Sequence, residues 1–443
     1  MTTTNIKPKK NNTILIKILF ILFMIVLLMI PNFMIKNLIY ERSGRKAGIE
    51  NEIARSFGKS QKVMSPILKI PYTKTQKLSD GKTNTFKGLL SFAPSDTDME
   101  GSITPTIRER SIYEVVVYDA EMNIKSKIET IPNSSQFVNY KLDYSQAYLM
   151  IGLADPNGLK DSSSILVNGK KLELEGVSDY ANRTLHFLKS KPFAIKPQAS
   201  LELDIKLDFR GTSSLTVEPI GETTKVNLQA PWPDPSFVGS KLPNSRDVTE
   251  AGFTSNWTTN KFAHNYPRQW TDNSKLDQNY EYGVKLLQPV DEYGKNSRTA
   301  KYALLIIVLA FSIFFLFEIL QKNPIHPIQY ALVGFALTIF FLLLLSITEH
   351  LGFDLAYLIS GLATIGLIVS YTSYFLASSR SSLILLLLLS ALFGYIFVIL
   401  QMQDFALLAG SLALFVVLSL VMLLSRKVDW YKLGYSTNEI KTS

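Results

Sequence analysis

The chain has 443 residues, 47% of them hydrophobic, with no cysteine and a formal net charge of +9. The length allows two or three domains, and the missing cysteine excludes disulfides, so any exported domain must fold by burial alone. Most of the basic surplus sits in residues 1–36, as Lys7, Lys9, Lys10, Lys17 and Lys36 with no acid, which leaves no broad cationic surface for nucleic acid.

A basic tail, 1–13, precedes residues 14–35, an apolar run whose one charge is Lys17. The run is long enough to cross a hydrocarbon core of roughly 30 Å. A cleaved export signal is the rival reading, because a basic segment before an apolar stretch is what such signals have. No small-x-small cleavage site follows, and the run continues through Pro31 and Asn32, which favours an uncleaved signal anchor. Over 36–60 the sequence predicts a juxtamembrane amphipathic helix, since Ile49, Ile53 and Phe57 recur every four residues on one face.

Residues 61–300 change to a strand pattern. LELDIKLDF (201–209) alternates without a break, Leu201, Leu203, Ile205, Leu207 and Phe209 against Glu202, Asp204, Lys206 and Asp208. Asn168-Gly169 sits between two short apolar runs, 164–174, where a two-residue hairpin turn needs positive φ. Further strand-like runs cover 112–118, 147–153 and 224–230. The expected fold class is an α+β membrane protein. An external antiparallel all-β, sandwich-like domain is inserted between an N-terminal transmembrane helix and a five-helix C-terminal transmembrane bundle.

Motifs for chemistry are near misses. Asp96-Thr97-Asp98-Met99-Glu100-Gly101 imitates the start of a calcium loop, but position twelve is Ile107, so a polar turn is expected. Gly81-Lys82-Thr83 lacks the first glycine of a phosphate loop, Gln76 standing there. Ser56-x-x-Lys59 has none of the partner motifs of penicillin-recognising enzymes. His186 and His264, some eighty residues apart, are little material for a metal site or triad. The sequons at Asn133, Asn182 and Asn256 read as chance occurrences. No catalytic residue, cofactor or metal is predicted. The stretch 230–257 holds Trp232, Phe237, Phe253 and Trp257 among four prolines. These are candidate partner-binding residues if a rigid backbone exposes them, and plugs of the sandwich end if it does not.

From 301 to 425 five apolar runs follow, at about 302–320, 328–348, 355–377, 382–400 and 405–425, with a tail at 426–443. The basic N-terminal tail, with Lys322, Arg380, Arg426, Lys427 and Lys432, predicts both termini in the cytoplasm. Residues 36–300 then lie outside, as do Glu349, Asp354 and Asp404. Glu318, His326, Glu349 and His350 are the candidate polar residues of the bundle, all near a predicted interface. Small residues in the fourth run (Ser360, Gly361, Ala363, Thr364, Gly366, Ser370) and the last (Ala409, Gly410, Ala413) suit close helix contact.

Several segments carry a resemblance: IYERSGRKAGIENEIARSFGKSQKVMSPILKIPY near the N-terminus, GTSSLTVEP, WPDPSFVGSKLP, RTAKYALL, FFLFE, HPIQYALVG, SITEHLGF and VDWY. In this order they resemble the CreD family of bacterial inner-membrane proteins. The resemblance implies a multi-pass protein of the Gram-negative inner membrane with a role in envelope integrity or envelope stress. It implies no reaction. The leading expectation is therefore a non-enzymatic membrane protein whose external β-domain binds an envelope component or a protein partner. The alternative is a transporter or lipid flippase with Glu318, Glu349 and His350 beside a polar route, and an envelope enzyme comes third. Beyond the lipid bilayer no partner is specified, no nucleic acid is expected, and the oligomeric state is open.

Overall fold

The computed structural model describes residues 13–423, except 78–82, 131–136, 138, 180–184, 265, 272–279, 288–291, 322–324, 375–377, 402–407, 409, 413–414, 416–418 and 420–421. The expectations for both tails, most of the run 405–425, Lys322, Asp404, Asn133, Asn182 and Gly81-Lys82 fall outside the described residues. Two compact units emerge, one of Lys46–Pro289 and one of Met1–Arg45 with Val290–Ser443.

The first unit is a pair of β-sheets. Alternation dictates their faces: in Ser200–Thr212 the leucines, Ile205 and Phe209 are buried while Glu202 and Asp204 are exposed. An eight-stranded sheet runs in the order Ser245–Thr249, Gly252–Asn260, Thr223–Ala230, Asp96–Arg110, Tyr113–Glu129, Ser200–Thr212, Ser164–Val167, Lys170–Leu172. The other sheet has eleven strands. Its main path is Pro235–Gly239, Tyr282–Leu286, Ser214–Glu218, Gln61–Met64, Tyr148–Leu153, Ile67–Lys77, Thr83–Phe92, Gln269–Thr271. One buried cluster joins them, with Leu68, Ile70 and Phe92 from the larger sheet meeting Met99, Ile124, Leu207 and Trp257 from the smaller.

Two expectations need correction. Pairing is antiparallel except that Gln61–Met64 lies parallel to Ser214–Glu218, and Thr223–Ala230 parallel to Asp96–Arg110. In each parallel pair the partners are far apart in sequence, so no hairpin fixes their direction. The segment at Asp96 is not a turn but the start of a 15-residue strand. Its acids are the outward half of a period-two pattern, with Thr97, Met99 and Gly101 inside. Asp98 then lies between Lys125 and Lys225 on neighbouring strands, which turns an apparent calcium loop into a cross-strand charge row. The Asn168-Gly169 hairpin is as expected, with φ of 49° and 76°.

Helix α1 (Thr13–Phe57) is one unbroken element, and its last turns belong to the β unit. There Ile49, Ile53 and Phe57 are half-buried, and the guanidinium groups of Arg108 and Arg210 lie over the Phe57 ring. Gly58 ends the helix at φ 134°, and a side chain there would strike the Arg210 carbonyl at 2.6 Å, so glycine is required. The chain then locks in place. Thr212 Oγ1 donates to the Gly58 carbonyl (2.7 Å), the Lys59 amide donates to Asp155, and Gln61 donates to the Asp155 and Arg210 carbonyls.

The second unit is helical: the start of α1, then α2 (Glu292–Lys301), α3 (Ala303–Gln321), α4 (Pro327–Leu351), α5 (Phe353–Ser373) and α6 (Ser379–Gln401). Among the described residues four helices are long and apolar enough to cross a membrane, and α2 with α3, bent by 46°, would make a fifth. The sixth expected span, 405–425, falls mostly outside the described residues. Leu28 of α1 is fully buried and sits where a Cβ on Gly334 of α4 would be, so α1 is part of the helical core. Gly352, at φ 76°, turns α4 directly into α5. Of the small residues expected at a helix contact, Ser360, Gly361 and Thr364 are buried, whereas Ala363, Gly366 and Ser370 are exposed.

Candidate functional site

The polar residues of the helical unit gather in two clusters. In the first, Lys17 of α1 forms an ion pair with Glu318 of α3, and Tyr330 of α4 donates to the same carboxylate at 3.0 Å. The charged side chains are only 16% and 12% exposed. Phe311 and Phe314 present their edges or faces to Tyr330, which closes the cluster on its apolar side. In the second, Glu349 at the end of α4 receives Arg42 of α1 at 3.7 Å and the Tyr293 hydroxyl of α2 at 3.1 Å. Beside it Lys295 reaches Asp354 (3.3 Å) and Gln401 (3.2 Å), and Gln401 also donates to Asp354.

The spacing of these clusters is informative. Lys17 and Arg42 are 25 positions apart on one helix, about 37 Å at 1.5 Å per residue, slightly more than a hydrocarbon core. Between the clusters buried Asn32 and Thr338 donate to carbonyls of their own helices, Leu28 and Gly334, while Tyr357 of α5 donates to the Phe393 carbonyl of α6. The uncharged stretch of α1 runs from Lys17 to Lys36, 19 positions or about 28 Å, and Lys36 and Glu41 stand toward the Arg42 end. Charge at the ends, in pairs, is what hydrocarbon around the middle demands.

The structure gives the other two candidates of the bundle lesser positions. His326 caps α4: its ring accepts from the Ile328 amide, and Gln329 accepts from the His326 amide. His350 is exposed in the last turn of α4, where a cation suits the helix dipole. Sequence reasoning missed Lys17, Tyr330, Arg42 and Tyr293 as partners. A signal did exist, since Lys17 and Glu318 are opposite charges at the same predicted depth of two spans.

The aromatic side chains of the segment 230–257 belong to the β core, with Phe237 partly buried against it. Trp257 is fully buried, stacked on Tyr282 at 5.6 Å, and donates its indole N–H to the Lys241 carbonyl. Phe237 meets Phe253 and Trp257 edge-on, each at 5.9 Å. Trp232 donates to the Leu287 carbonyl at 2.9 Å. Period two explains this: Phe253, Ser255 and Trp257 share the inner face of Gly252–Asn260, and Phe237 comes from the edge strand of the other sheet. The recognition-loop expectation loses its premise of exposure, and the plug of the sandwich is what the burial supports. Burial also pushes the Tyr282 hydroxyl up to about 12, with Thr259 as its hydrogen-bond partner at 2.8 Å.

No group of three or more His, Asp or Glu able to hold a metal occurs among the described residues. His186 lies on a strand of the larger sheet, and His264 is buried, its imidazole held below the usual range by desolvation.

Comparison with known proteins identifies the family. The inner membrane protein CreD of Escherichia coli K12 is 30% identical over 428 residues, 95% of this chain and 94% of that protein. Among solved structures, a two-domain M1 zinc metallopeptidase bound to L-arginine and an M1 zinc metallopeptidase of Deinococcus radiodurans bound to a Tyr-Ser-Ala substrate each align with 39% of the chain. They align over 39% of their own chains at 11% identity and a TM-score of 0.19, too low to support any argument. The family model described as "Inner membrane protein CreD" matches residues 13–431. The chain belongs to the CreD family of inner membrane proteins.

Proposed function

We propose that this inner-membrane protein supports envelope integrity or the envelope-stress response without catalysing a reaction. Its β unit would lie on the periplasmic side and bind an envelope component or a protein partner, with both termini in the cytoplasm. The observation that carries this reading is the pairing of charges at the two ends of the helical unit. Glu318 and Glu349 are occupied by Lys17 and Arg42, so the bundle's acids hold helices together and do not line a route. A transporter or flippase finds no support in that arrangement. With the bundle built as an anchor, binding falls to the β unit, which makes up about half of the chain. Basic Arg380 beyond α5 and acidic Asp354 in its first turn support the orientation.

Two experiments test the reading. A strain lacking the protein should lose viability under detergent or β-lactam challenge, and the intact gene should restore it; unchanged survival of the deletion strain would remove the envelope role. The absence of native cysteine makes single-cysteine labelling clean. In intact spheroplasts, Thr258→Cys in the β unit should react with a membrane-impermeant maleimide, and Ser378→Cys only after permeabilisation. The reverse pattern would invert the topology.

A further inference from the structure

The outer face of the eight-stranded sheet changes character along its strands, and the cross-strand register makes this explicit. One row, through Asp204, Lys125, Asp98 and Lys225, alternates in sign and is self-neutralising. The next row runs through Asn123, Glu100, Asn227 and Asn256, and the one after it through Ser102, Gln229 and Thr254. Here amides and hydroxyls prevail, with the cations at the margins: Lys206, next to Asn123, is paired with Glu121, and Arg246 stands at the edge strand. These two rows line an open groove of about 610 Å³, within the range of small-ligand clefts of roughly 300–1,000 Å³.

The hydrogen-bonding capacity of the groove is only partly used. Asn256 donates to Asn227 at 2.6 Å, which leaves the Asn227 NH2 group and the Asn256 amide oxygen unengaged among the described residues. Exchanging O and N in both amides preserves that count. Glu100, exposed in the middle of the row, makes no ion pair or hydrogen bond among the described residues. Arg246 lies in the groove wall, with its guanidinium over the Phe237 ring at 5.6 Å.

Chemistry narrows the ligand. An anionic polymer needs a cationic track, and Glu100 and Asp247 stand in the groove instead. A polypeptide strand would add to a sheet edge through its backbone, whereas this groove lies on a face. A metal lacks its donor cluster among the described residues. What fits is a neutral ligand whose groups both donate and accept. A carboxylate suits paired hydroxyls, and an unengaged amide donor and acceptor suit the C=O and N–H of an acetamido group.

We propose that this groove binds a neutral glycan strand carrying acetamido groups, with Glu100, Asn227 and Asn256 as its central contacts. The proposal rests on the reading of the β unit as an envelope-binding module, and it supplies the class of component. Titration of the full-length protein in detergent micelles with chitotetraose, a linear N-acetylglucosamine tetramer, tests it. Wild type should bind saturably. Glu100→Gln and Asn227→Ala should each weaken binding by about ten-fold or more, the loss expected for one charged or bidentate contact. Glu202→Gln, on the same face but outside the groove, should bind as wild type does. Unchanged melting of the variants checks that they are folded. No saturable binding up to about 10 mM tetramer, or equal affinity in all variants, overturns the proposal. The titration is independent of any stress phenotype. A deletion strain with a sound envelope would therefore sink the envelope role alone, and a failed titration the glycan site alone.

Discussion

The β unit and the helical unit place charge by opposite rules, and the contrast shows what each surrounding medium allows. On the outer face of the eight-stranded sheet, charges stand in rows across the strands, as in Asp204, Lys125, Asp98 and Lys225, each shared with water. In the helical unit Glu318, Glu349 and Asp354 stand toward two ends, each met by a base from another helix, and α1 carries no charge between Lys17 and Lys36. Water makes a sheet's surface charges cheap and nearly worthless individually. Hydrocarbon makes an unpaired charge expensive, so pairs there become structural. Aromatic residues follow no such division: Phe33 and Phe335 are exposed on their helices and Phe86 and Phe262 in the β unit, while Trp257 and Phe253 of the β unit and Phe340 and Phe353 of the helices are buried.

The largest effect should come from the β core. Trp257→Ala removes a fully buried ring stacked on Tyr282 and should cost about 4 kcal/mol. Melting of the full chain in detergent, followed by tryptophan fluorescence, checks this. Trp232, Trp257 and Trp270 lie in the β unit and Trp430 outside it, so in Trp257→Ala two of the three remaining rings report that unit. If Trp257→Ala melts normally but loses ligand, the ring is a recognition residue and the burial argument is wrong.

Next comes the ion pair at one end of the helices. Glu318→Gln leaves Lys17 without its counter-charge in a mostly buried position, and should cost about 3 kcal/mol. Loss of helical ellipticity at rising dodecyl sulfate concentration measures it. The double change Lys17→Met with Glu318→Gln should recover most of the loss, because an uncharged pair needs no counter-charge. If the single variant is as stable as wild type, the cluster is not a clasp, and a transport role for Glu318 regains interest.

A smaller effect, confined to the β unit, follows from His264. Desolvation depresses its folded pKa below the ordinary 6.5, so the unfolded chain takes up the proton more readily. Stability is then complete above about 6.5, declines as pH falls through that value, and levels off below the folded pKa. His264→Gln should flatten this slope in the fluorescence melt and leave the helical transition unchanged.

How much of this could be read from sequence differs between the units for a physical reason. Ser200–Thr212 was legible because one face is wet, so burial writes itself as alternation. Asp96–Arg110 was misread because Asp, Asp and Glu at every second place look like metal ligands until their lysine neighbours on other strands are known. The aromatic segment could be read either way, since exposure depends on which sheet covers the strand. In the helices, apolarity on all sides makes the spans visible and their contacts invisible. The docking of Leu28 at Gly334 has no periodic signature. Glu318 and Glu349 stood out as costly charges, but their partners lie hundreds of residues away on α1.

The smallest effects sharpen the contrast most. Arg42 is 35% exposed where it meets Glu349 at 3.7 Å, so Arg42→Gln should cost under about 1 kcal/mol, because water at that end screens the pair. Its counterpart in the β unit is Lys206 with Glu121, which sit across the sheet surface at 3.0 Å. The hydrogen bond from Lys206 holds the Glu121 carboxyl below the usual range, so whatever it adds is present above the unfolded pKa and lost as pH falls through the folded one. Lys206→Ala should nevertheless leave the melting midpoint unchanged at neutral pH, since both groups are open to solvent. Near-zero effects at both sites would mean that exposure, and not the choice of sheet or helix, sets the worth of a pair. A large loss for Arg42→Gln alone would instead place both ends of α1 in a medium that water does not reach, and the interval between the clusters would then be too short to mark the full membrane.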